Sequence, residues 1–301
     1  MKALFHFNYE FISNKCKRLH KNIYIRYNLF DLGWNNMRFE NHTVVITGAG
    51  GAIGSSLTRA FVEEGAKVVL LGRTLESLEE VSNACKEGVT LPLSCDVLNP
   101  QDLQQVADQI LDWTGRIDVL VNAAGGNMPG ATIPDDKSIF DLQIPDFQRV
   151  LNLNLNGTVL PSLVFGKIMV QAGQGVILNI SSMAADRVVT RVAGYSASKA
   201  AMENFTRWMA VELSTKFGEQ FRVNALAPGF FIGNQNRRLL TQEDGSFTER
   251  GASIIQHTPM KRFGEITELN EAALYLCSKG ASFITGTVLP VDGGFSAFSG
   301  V

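Results

Sequence analysis

Tyr195 and Lys199 stand four residues apart in Tyr195-Ser196-Ala197-Ser198-Lys199, so on a helix they share one face. A phenol titrates near about 10. An ammonium within a few ångströms stabilises the phenolate and lowers that value, which lets the pair move a proton near neutral pH. Donating a proton to a carbonyl oxygen as its carbon is reduced is chemistry of this kind. Alone, Tyr-x-x-x-Lys is weak, because solvated helix faces carry it by chance. A second feature gives it weight. Thr47-Gly48-Ala49-Gly50-Gly51-Ala52-Ile53-Gly54 follows an apolar run and precedes a helical pattern. Small residues there let the backbone turn sharply and approach a pyrophosphate. The helix N-terminus behind them offers free N–H groups and a positive dipole end. A strand before and a helix after give such a turn its meaning; the plain alternative is a tight βα turn that binds nothing.

These residues need a scaffold, and the chain spells one out. Short β-branched runs recur at 43–47, 67–71, 89–94, 117–122, 175–180, 221–226 and 287–290. Their continuous apolar character, without alternation, predicts strands covered on both faces, as in a parallel sheet. Helical spacing lies between them. Over 55–64, Leu57, Ala60 and Phe61 fall at i, i+3 and i+4, and 75–85, 101–113 and 200–217 also fit helices. Repeated βα units predict an α/β chain: a single-domain, doubly wound Rossmann fold, with a parallel sheet of about seven strands and helices on both faces. The Gly-, Pro- and Asp-rich stretch 125–145 reads as a long loop with short helical pieces, and 228–264 as a second irregular region. Residues 1–36 stand apart. They carry six basic residues against Glu10 and Asp31, and many aromatics. Glu10 and the basic cluster at 15–21 interrupt any long apolar core of a secretory signal. The segment is read as an extension outside the fold, and the domain as 37–301.

Composition narrows the function classes. Of 301 residues, 45% are hydrophobic, and 27 Lys+Arg face 29 Asp+Glu. That is globular, and a net charge of -2 argues against a general binder of nucleic acid or anionic membranes. Cys16, Cys85, Cys95 and Cys277 form no C-x-x-C pair. This leaves no zinc motif and suits a reducing compartment, the cytoplasm. No apolar run reaches the roughly 18 to 20 residues of a membrane span, and no His/Asp/Glu cluster suggests a metal.

The spacing T-G-x-x-x-A-x-G, with Gly48, Ala52 and Gly54 as its small positions, differs from the ordinary G-x-G-x-x-G. It resembles the short-chain dehydrogenase/reductase family. Further family marks follow in order. Cys95-Asp96-Val97 ends the third strand and Asn122-Ala123-Ala124-Gly125 the fourth. Asn154-Leu155-Asn156-Gly157 comes next, then Ser182 thirteen residues before Tyr195. Pro228-Gly229 follows the sixth strand, and Val291-Asp292-Gly293-Gly294 lies near the end. The resemblance spans 39–301. It implies an NAD(P)-dependent oxidoreductase acting on CH–OH groups, with Asn154, Ser182, Tyr195 and Lys199 as the catalytic group. Tyr195 would be the acid, and Ser182 would hold the substrate oxygen. Lys199 would tune the phenol and also bond the nicotinamide ribose. Asn154 would hold a water that relays protons to Lys199. Ser181, Asn152 and Asn156 are neighbouring rivals. The cofactor would lie on Gly48, Gly50, Ala52, Ile53 and Gly54, on Asp96 and Val97 near adenine, on Asn122, Ala124 and Gly125, on Tyr195 and Lys199, and on Pro228 and Gly229. The family often has a Thr after the Pro-Gly pair to bond the carboxamide. None stands nearby here, which leaves the backbone of Ile232. An NAD-preferring Rossmann protein carries a carboxylate at the end of its second strand. This chain has Gly72 and then Arg73, which removes repulsion toward a 2′-phosphate and offers it a guanidinium. NADP is therefore favoured over NAD.

Within the family, segments 125–132, 228–237, 257–264 and 289–301 resemble the short-chain-type D-mannonate oxidoreductases, also called fructuronate reductases. That implies hydride transfer between nicotinamide and a sugar-acid carbonyl, D-fructuronate to D-mannonate. Asn127, Gln235 and Asn236 would serve substrate hydroxyls. Arg237, with Arg187, Arg191 and Arg262, is a candidate for the carboxylate, since a planar guanidinium suits a bidentate anion. Two same-family alternatives stay open: a gluconate or polyol dehydrogenase, and a 3-oxoacyl reductase. A non-catalytic dinucleotide-binding sensor is the alternative of another class. The polar Asn127, Gln235 and Asn236 argue against a long acyl chain, and the complete Asn, Ser, Tyr and Lys set argues against a sensor. The family resemblance also implies a homotetramer, with the helix over 200–217 packing between subunits.

Overall fold

Among the residues described, 37–233 and 237–300 of a computed structural model, seven strands form one sheet. They are β1 (Thr43–Thr47), β2 (Lys67–Gly72), β3 (Thr90–Ser94), β4 (Val119–Asn122), β5 (Gly175–Ile180), β6 (Phe221–Pro228) and β7 (Val288–Val291). The order is β3-β2-β1-β4-β5-β6-β7, and every neighbouring pair is parallel. The predicted doubly wound sheet is what the chain builds, with strand ends moved by one or two residues. Two units divide the chain, Met1–Arg38 and Phe39–Val301, and all of these strands belong to the second. The expected extension over 1–36 lies outside the described residues, as do Gln235 and Asn236.

The helices are α1 (Ala52–Glu63), α2 (Leu75–Asn83), α3 (Pro100–Thr114), α4 (Ile144–Ala172), α5 (Ala193–Phe217), α6 (Arg237–Leu240), α7 (Glu249–His257) and α8 (Asn270–Cys277). Apolar strand residues split between two cores one by one. Val44, Ile46, Val68 and Leu70 join Leu57 and Phe61 of α1 and Leu274 of α8. Val45, Val69 and Leu71 join Leu103 and Ile110 of α3, Phe165 of α4 and Met209 and Leu213 of α5. Successive Cβ atoms point to opposite faces of a strand, so a strand with helices on both sides must be apolar throughout. Each such Leu or Phe, fully buried, stabilises the fold by about 1.5–3 kcal/mol relative to exposure. Local signals agree with the packing. Asn99 caps α3 by accepting from the Gln101 N–H at 3.0 Å, Pro100 opens it, and Gly115 at φ 73° ends it.

Nothing in the apolar periodicity predicts α4. Pro145 sits in its first turn, where proline is tolerated. Asn152–Asn156 widens into a π turn, and Pro161 lies inside the following stretch. Among the described residues α4 is the one helix long and apolar enough to cross a membrane. It is a core helix of this domain: Val150, Phe165 and Met169 are buried, and so are its polar Asn154, Thr158 and Ser162.

Candidate active site

Strand order reverses between β1 and β4, and ligands of open α/β sheets bind outside the carboxyl ends at such a point. Two loops leave the sheet there and are locked together. Thr47 Oγ1 accepts from the Ala123 and Ala124 N–H groups, each at 3.1 Å. Gly48 has φ 66° and is so close to the second loop that a Cβ would lie 2.8 Å from Ala124 Cα. A Cβ at Gly54 would meet the Gly48 carbonyl oxygen, so α1 begins hard against the turn. The first bond of α1 runs from Ser55 N–H to Gly51 O at 2.8 Å. The N–H groups of Ala52, Ile53 and Gly54 precede it and have no intrahelical partner. No acidic side chain stands in that first turn. A cradle of glycine backbone, free N–H donors and the positive end of a helix fits a pyrophosphate. Beside it β2 and β3 end in register, Gly72 opposite Ser94, and the Cys95 N–H donates to Gly72 O at 2.8 Å. Arg73 and Asp96 are exposed at that rim, Gly50 lies on the open side of the turn, and Val97 is buried beneath.

Helix α5 starts at Ala193, earlier than its apolar pattern predicts, and so carries Tyr195 and Lys199 in its first two turns. The Lys199 Nζ lies 5.7 Å from the centre of the Tyr195 ring. Lys199 is buried and donates to the Ile180 carbonyl at the end of β5, 2.7 Å away. Two residues on, the Ser182 hydroxyl hydrogen-bonds the Tyr195 phenol and accepts from the Ala184 N–H at 3.2 Å. Ser182, Tyr195 and Lys199 therefore converge. The rival Ser181 is turned inward, where its hydroxyl donates to Glu203 Oε1 at 2.7 Å.

Asn154 joins the group from the π turn of α4. Its Oδ1 accepts from the Gly126 N–H at 3.0 Å, and its Nδ2 donates to Gly126 O and Val150 O, each at 2.8 Å. A Cβ at Gly125 would be 2.7 Å from Asn154 Oδ1 and 3.3 Å from Lys199 Nζ. The side-chain amide thus bonds backbone and fixes the Gly125-Gly126 turn against Lys199. Asn152 and Asn156 are exposed and bond each other at 2.6 Å.

Proton affinities differ from the sequence expectation. Tyr195 was to fall below its ordinary value. In the polypeptide alone burial pushes the phenol above 10, against a smaller downward pull from the Ser182 hydrogen bond. Burial brings Lys199 down to about 8, opposed by the carboxylate of Glu203. Glu203 has no place in the sequence reading of the site. It stands one turn beyond Lys199 on the same helix, is 7% exposed, accepts the Ser181 hydroxyl, and has Arg207 Nη2 at 3.4 Å. The charged Lys199 is fully present below about 8 and is lost as pH rises through that value. Glu203→Gln removes the upward push. The alkaline limb of kcat/KM for the reduced cofactor should therefore move to lower pH. A pH–rate profile of ketone reduction checks this, and an unmoved limb contradicts it.

The remaining predicted residues are placed as follows. Asn122 does not present its side chain to the cleft. It is buried and donates to Ser162 Oγ at 3.0 Å and Asn179 Oδ1 at 2.9 Å, inside a polar chain that continues to Thr206. Only its backbone can serve a cofactor. Ala124 and Gly125 stay at the cleft beside Gly48 and Lys199. Pro228 ends β6, and Gly229 backs so closely on Asp292 that a Cβ would lie 2.5 Å from the Asp292 Cβ. The Gly229 N–H donates to Val291 O at 2.9 Å, so the Pro-Gly and Val-Asp-Gly-Gly segments support each other. Ile232 packs with Leu240, Ile254 and Phe263 under α6 and α7. Asn127 is exposed and donates to Thr132 Oγ1 at 2.8 Å. Arg237 is exposed at the head of α6. No group of three or more His, Cys, Asp or Glu residues able to hold a metal occurs among the described residues.

Known proteins share this arrangement. A family profile described as enoyl-(acyl carrier protein) reductase matches residues 48–296. The uncharacterized oxidoreductase UxuB of Bacillus subtilis is 42% identical over 86% of this chain and 96% of its own length. A Haemophilus influenza protein, provisionally named a D-mannonate oxidoreductase and solved with bound NAD, superposes with a TM-score of 0.81 at 40% identity. That match covers 88% of this chain and 99% of the other. The 7alpha-hydroxysteroid dehydrogenase of Escherichia coli is 33% identical over 86% of this chain and 96% of its own. The chain belongs to the short-chain dehydrogenase/reductase family and is an NAD(P)-dependent oxidoreductase that acts on CH–OH groups.

Proposed function

We propose that the protein interconverts a keto sugar acid and its alcohol, D-fructuronate and D-mannonate, with NADP preferred over NAD. The observation that carries the substrate is the 40% identity, over nearly the whole domain, to the Haemophilus protein given that provisional name. Resemblance of the segments flanking the cleft, 125–132, 228–237 and 257–264, supports it. The cofactor preference rests on Gly72 and the exposed Arg73 at the end of β2; a guanidinium there suits a 2′-phosphate.

The nicotinamide supplies the hydride when bound. The remaining work falls to this chain's residues. The glycine turn and the first N–H groups of α1 would hold the pyrophosphate. Asp96 and Val97 would serve the adenine, and the Ile232 backbone the carboxamide. Ser182 holds the substrate carbonyl oxygen beside Tyr195, and Tyr195 delivers its proton to that oxygen as the carbon is reduced. Lys199, beside Tyr195 and the Gly125 turn that Asn154 fixes, would place its positive charge near the phenol and the nicotinamide ribose. Asn127 and Arg237 are assigned to the substrate, as are Gln235 and Asn236, which lie outside the described residues. The assembly is a homotetramer. Trp208 and Val211, exposed one turn apart on α5, and Leu163, exposed on α4, are the apolar surface such an interface buries. The free, buried thiols of Cys95 and Cys277 suit the reducing cytoplasm.

Loss of reduced-nicotinamide absorbance with D-fructuronate, run in parallel with NADPH and NADH, tests the reading. Oxidation with D-mannonate as product, and a higher kcat/KM for NADPH, is expected. A higher value for NADH removes the role given to Arg73. No oxidation with either, by protein that binds the cofactor, removes the substrate.

A further inference from the structure

Four guanidiniums stand out in the sequence for a substrate carboxylate, and the structure sorts them. Arg262 is clamped to Glu268 by two bonds of 2.6 Å. Arg187 lies exposed beside Asp186, and Arg237 is exposed on α6. Arg191 differs. Its side chain is 27% exposed, and it sits between Ser182 and Tyr195, directly before the residue that caps α5. Its φ is 77°, which a residue with a Cβ holds only at a cost, and such strain gathers at functional sites. Neighbours hold it in place. The Ile133 N–H donates to Arg191 O at 2.9 Å, Arg191 Nε donates to Ile133 O at 3.4 Å, and Nη2 lies 3.3 Å from Asp135 Oδ2. These bonds stitch the loop after β4 to the head of the catalytic helix.

Arg250, on α7, reaches the same place from a third element. Its Nη1 donates to Thr190 Oγ1 at 3.2 Å, and it is partly buried. Burial lowers its proton affinity first, Arg191 lowers it further, and Asp135 opposes both. Arg191 holds a carboxylate that is 84% exposed, and Arg250 reaches the residue beside Arg191. Like charges gathered at a partly dry site repel, and an anion with two oxygens relieves them through paired N–H donors. The position suits such an anion. Arg191 lies four residues before Tyr195, outside α5, on the segment that leads from Ser182 into the catalytic helix.

We propose that Arg191 and Arg250 form the carboxylate subsite of the substrate cleft, with Asp135 holding the pair in register. This rests on the sugar-acid reading above, and the test separates the two. Wild type, Arg191→Gln and Arg250→Gln are compared on D-fructuronate and on D-fructose, which carries a hydroxymethyl group in place of the carboxylate. In parallel, the NAD(P)+-loaded proteins are melted with D-mannonate and with D-mannitol. In wild type the acid should win in both assays. Each variant should lose about tenfold or more of the fructuronate-to-fructose ratio of kcat/KM, chiefly through KM, as expected for a charged hydrogen-bonding partner, together with the acid-specific rise in Tm. Acid preference that survives both substitutions overturns the subsite, and so does a wild type that melts alike with mannonate and mannitol. Acid-specific stabilisation that depends on both arginines, in a protein that leaves fructuronate unreduced, upholds the subsite and overturns the proposed reaction. Arg250→Gln lies outside the strained segment and keeps the test decisive if Arg191→Gln fails to fold.

Discussion

Tyr195→Phe should lower kcat for ketone reduction by about 10³-fold or more, toward the upper part of the range for loss of a general acid. Only the hydroxyl is removed. The ring still fills its place at the head of α5, and the Lys199 bond to Ile180 remains. Cofactor affinity should stay within a few fold, because the glycine turn and the first N–H groups of α1 lie on other elements. Stopped-flow reduction rates and a fluorescence titration with NAD(P)H check the two halves. Equal losses in rate and in affinity would mean that Tyr195 supports the cofactor and does not supply the proton.

Gly54→Val should show the reverse pattern, failing first at the cofactor. A Cβ at Gly54 would collide with the Gly48 carbonyl oxygen and lie 2.7 Å from Ala49 Cα. Both atoms are backbone and cannot rotate aside. Gly48, with φ 66° and Ala124 against it, cannot retreat either. The start of α1 must move away from the turn and take its free N–H donors with it. Overpacking costs about 1–3 kcal/mol, which a domain of this size can survive. Affinity for NAD(P)H should fall by about 100-fold or more, while far-UV circular dichroism still shows a folded chain. Unaltered affinity in a folded variant would remove the pyrophosphate from this turn.

The sheet was legible because its inner strands carry apolar runs buried on both faces, and few other local patterns have that appearance. The turn after β1 was legible because its glycines serve backbone needs visible in spacing alone. Ser182 could be told from Ser181 by distance from Tyr195, and the inward bond of Ser181 to Glu203 gives the physical reason. Other features hid for stated causes. Helix α4 hid behind Pro145, three alternating asparagines and Pro161, residues that ordinarily break helices. Its π turn takes up the asparagines, and the first turn tolerates Pro145. The start of α5 was missed because Gly194, Ser196 and Ser198 carry no apolar stripe. Glu203 meets Ser181 across 22 positions of sequence, and Arg250 meets Thr190 across 60; no local pattern holds such pairs. Asn122 looked like a cofactor ligand because its motif lies at the cleft, yet pleating sends its side chain into the sheet's interior. The pH behaviour of Tyr195 also escaped, since spacing reports the nearness of Lys199 and not the depth of burial that raises the phenol.

Transfer of label from the cofactor is the most direct test of the central claim. Reduced cofactor carrying deuterium at the transferable position of nicotinamide C4 is incubated with D-fructuronate, and the sugar acid is recovered and analysed by mass spectrometry and NMR. The proposed function predicts one deuterium per turnover, bound to the carbon that had been the ketone, with the new hydroxyl proton drawn from solvent through Tyr195. Cofactor that stays labelled and a sugar acid that stays unlabelled, with the complex demonstrably formed, would contradict a hydride-transferring sugar-acid enzyme and return the chain to the role of a dinucleotide sensor or an oxidoreductase of another substrate.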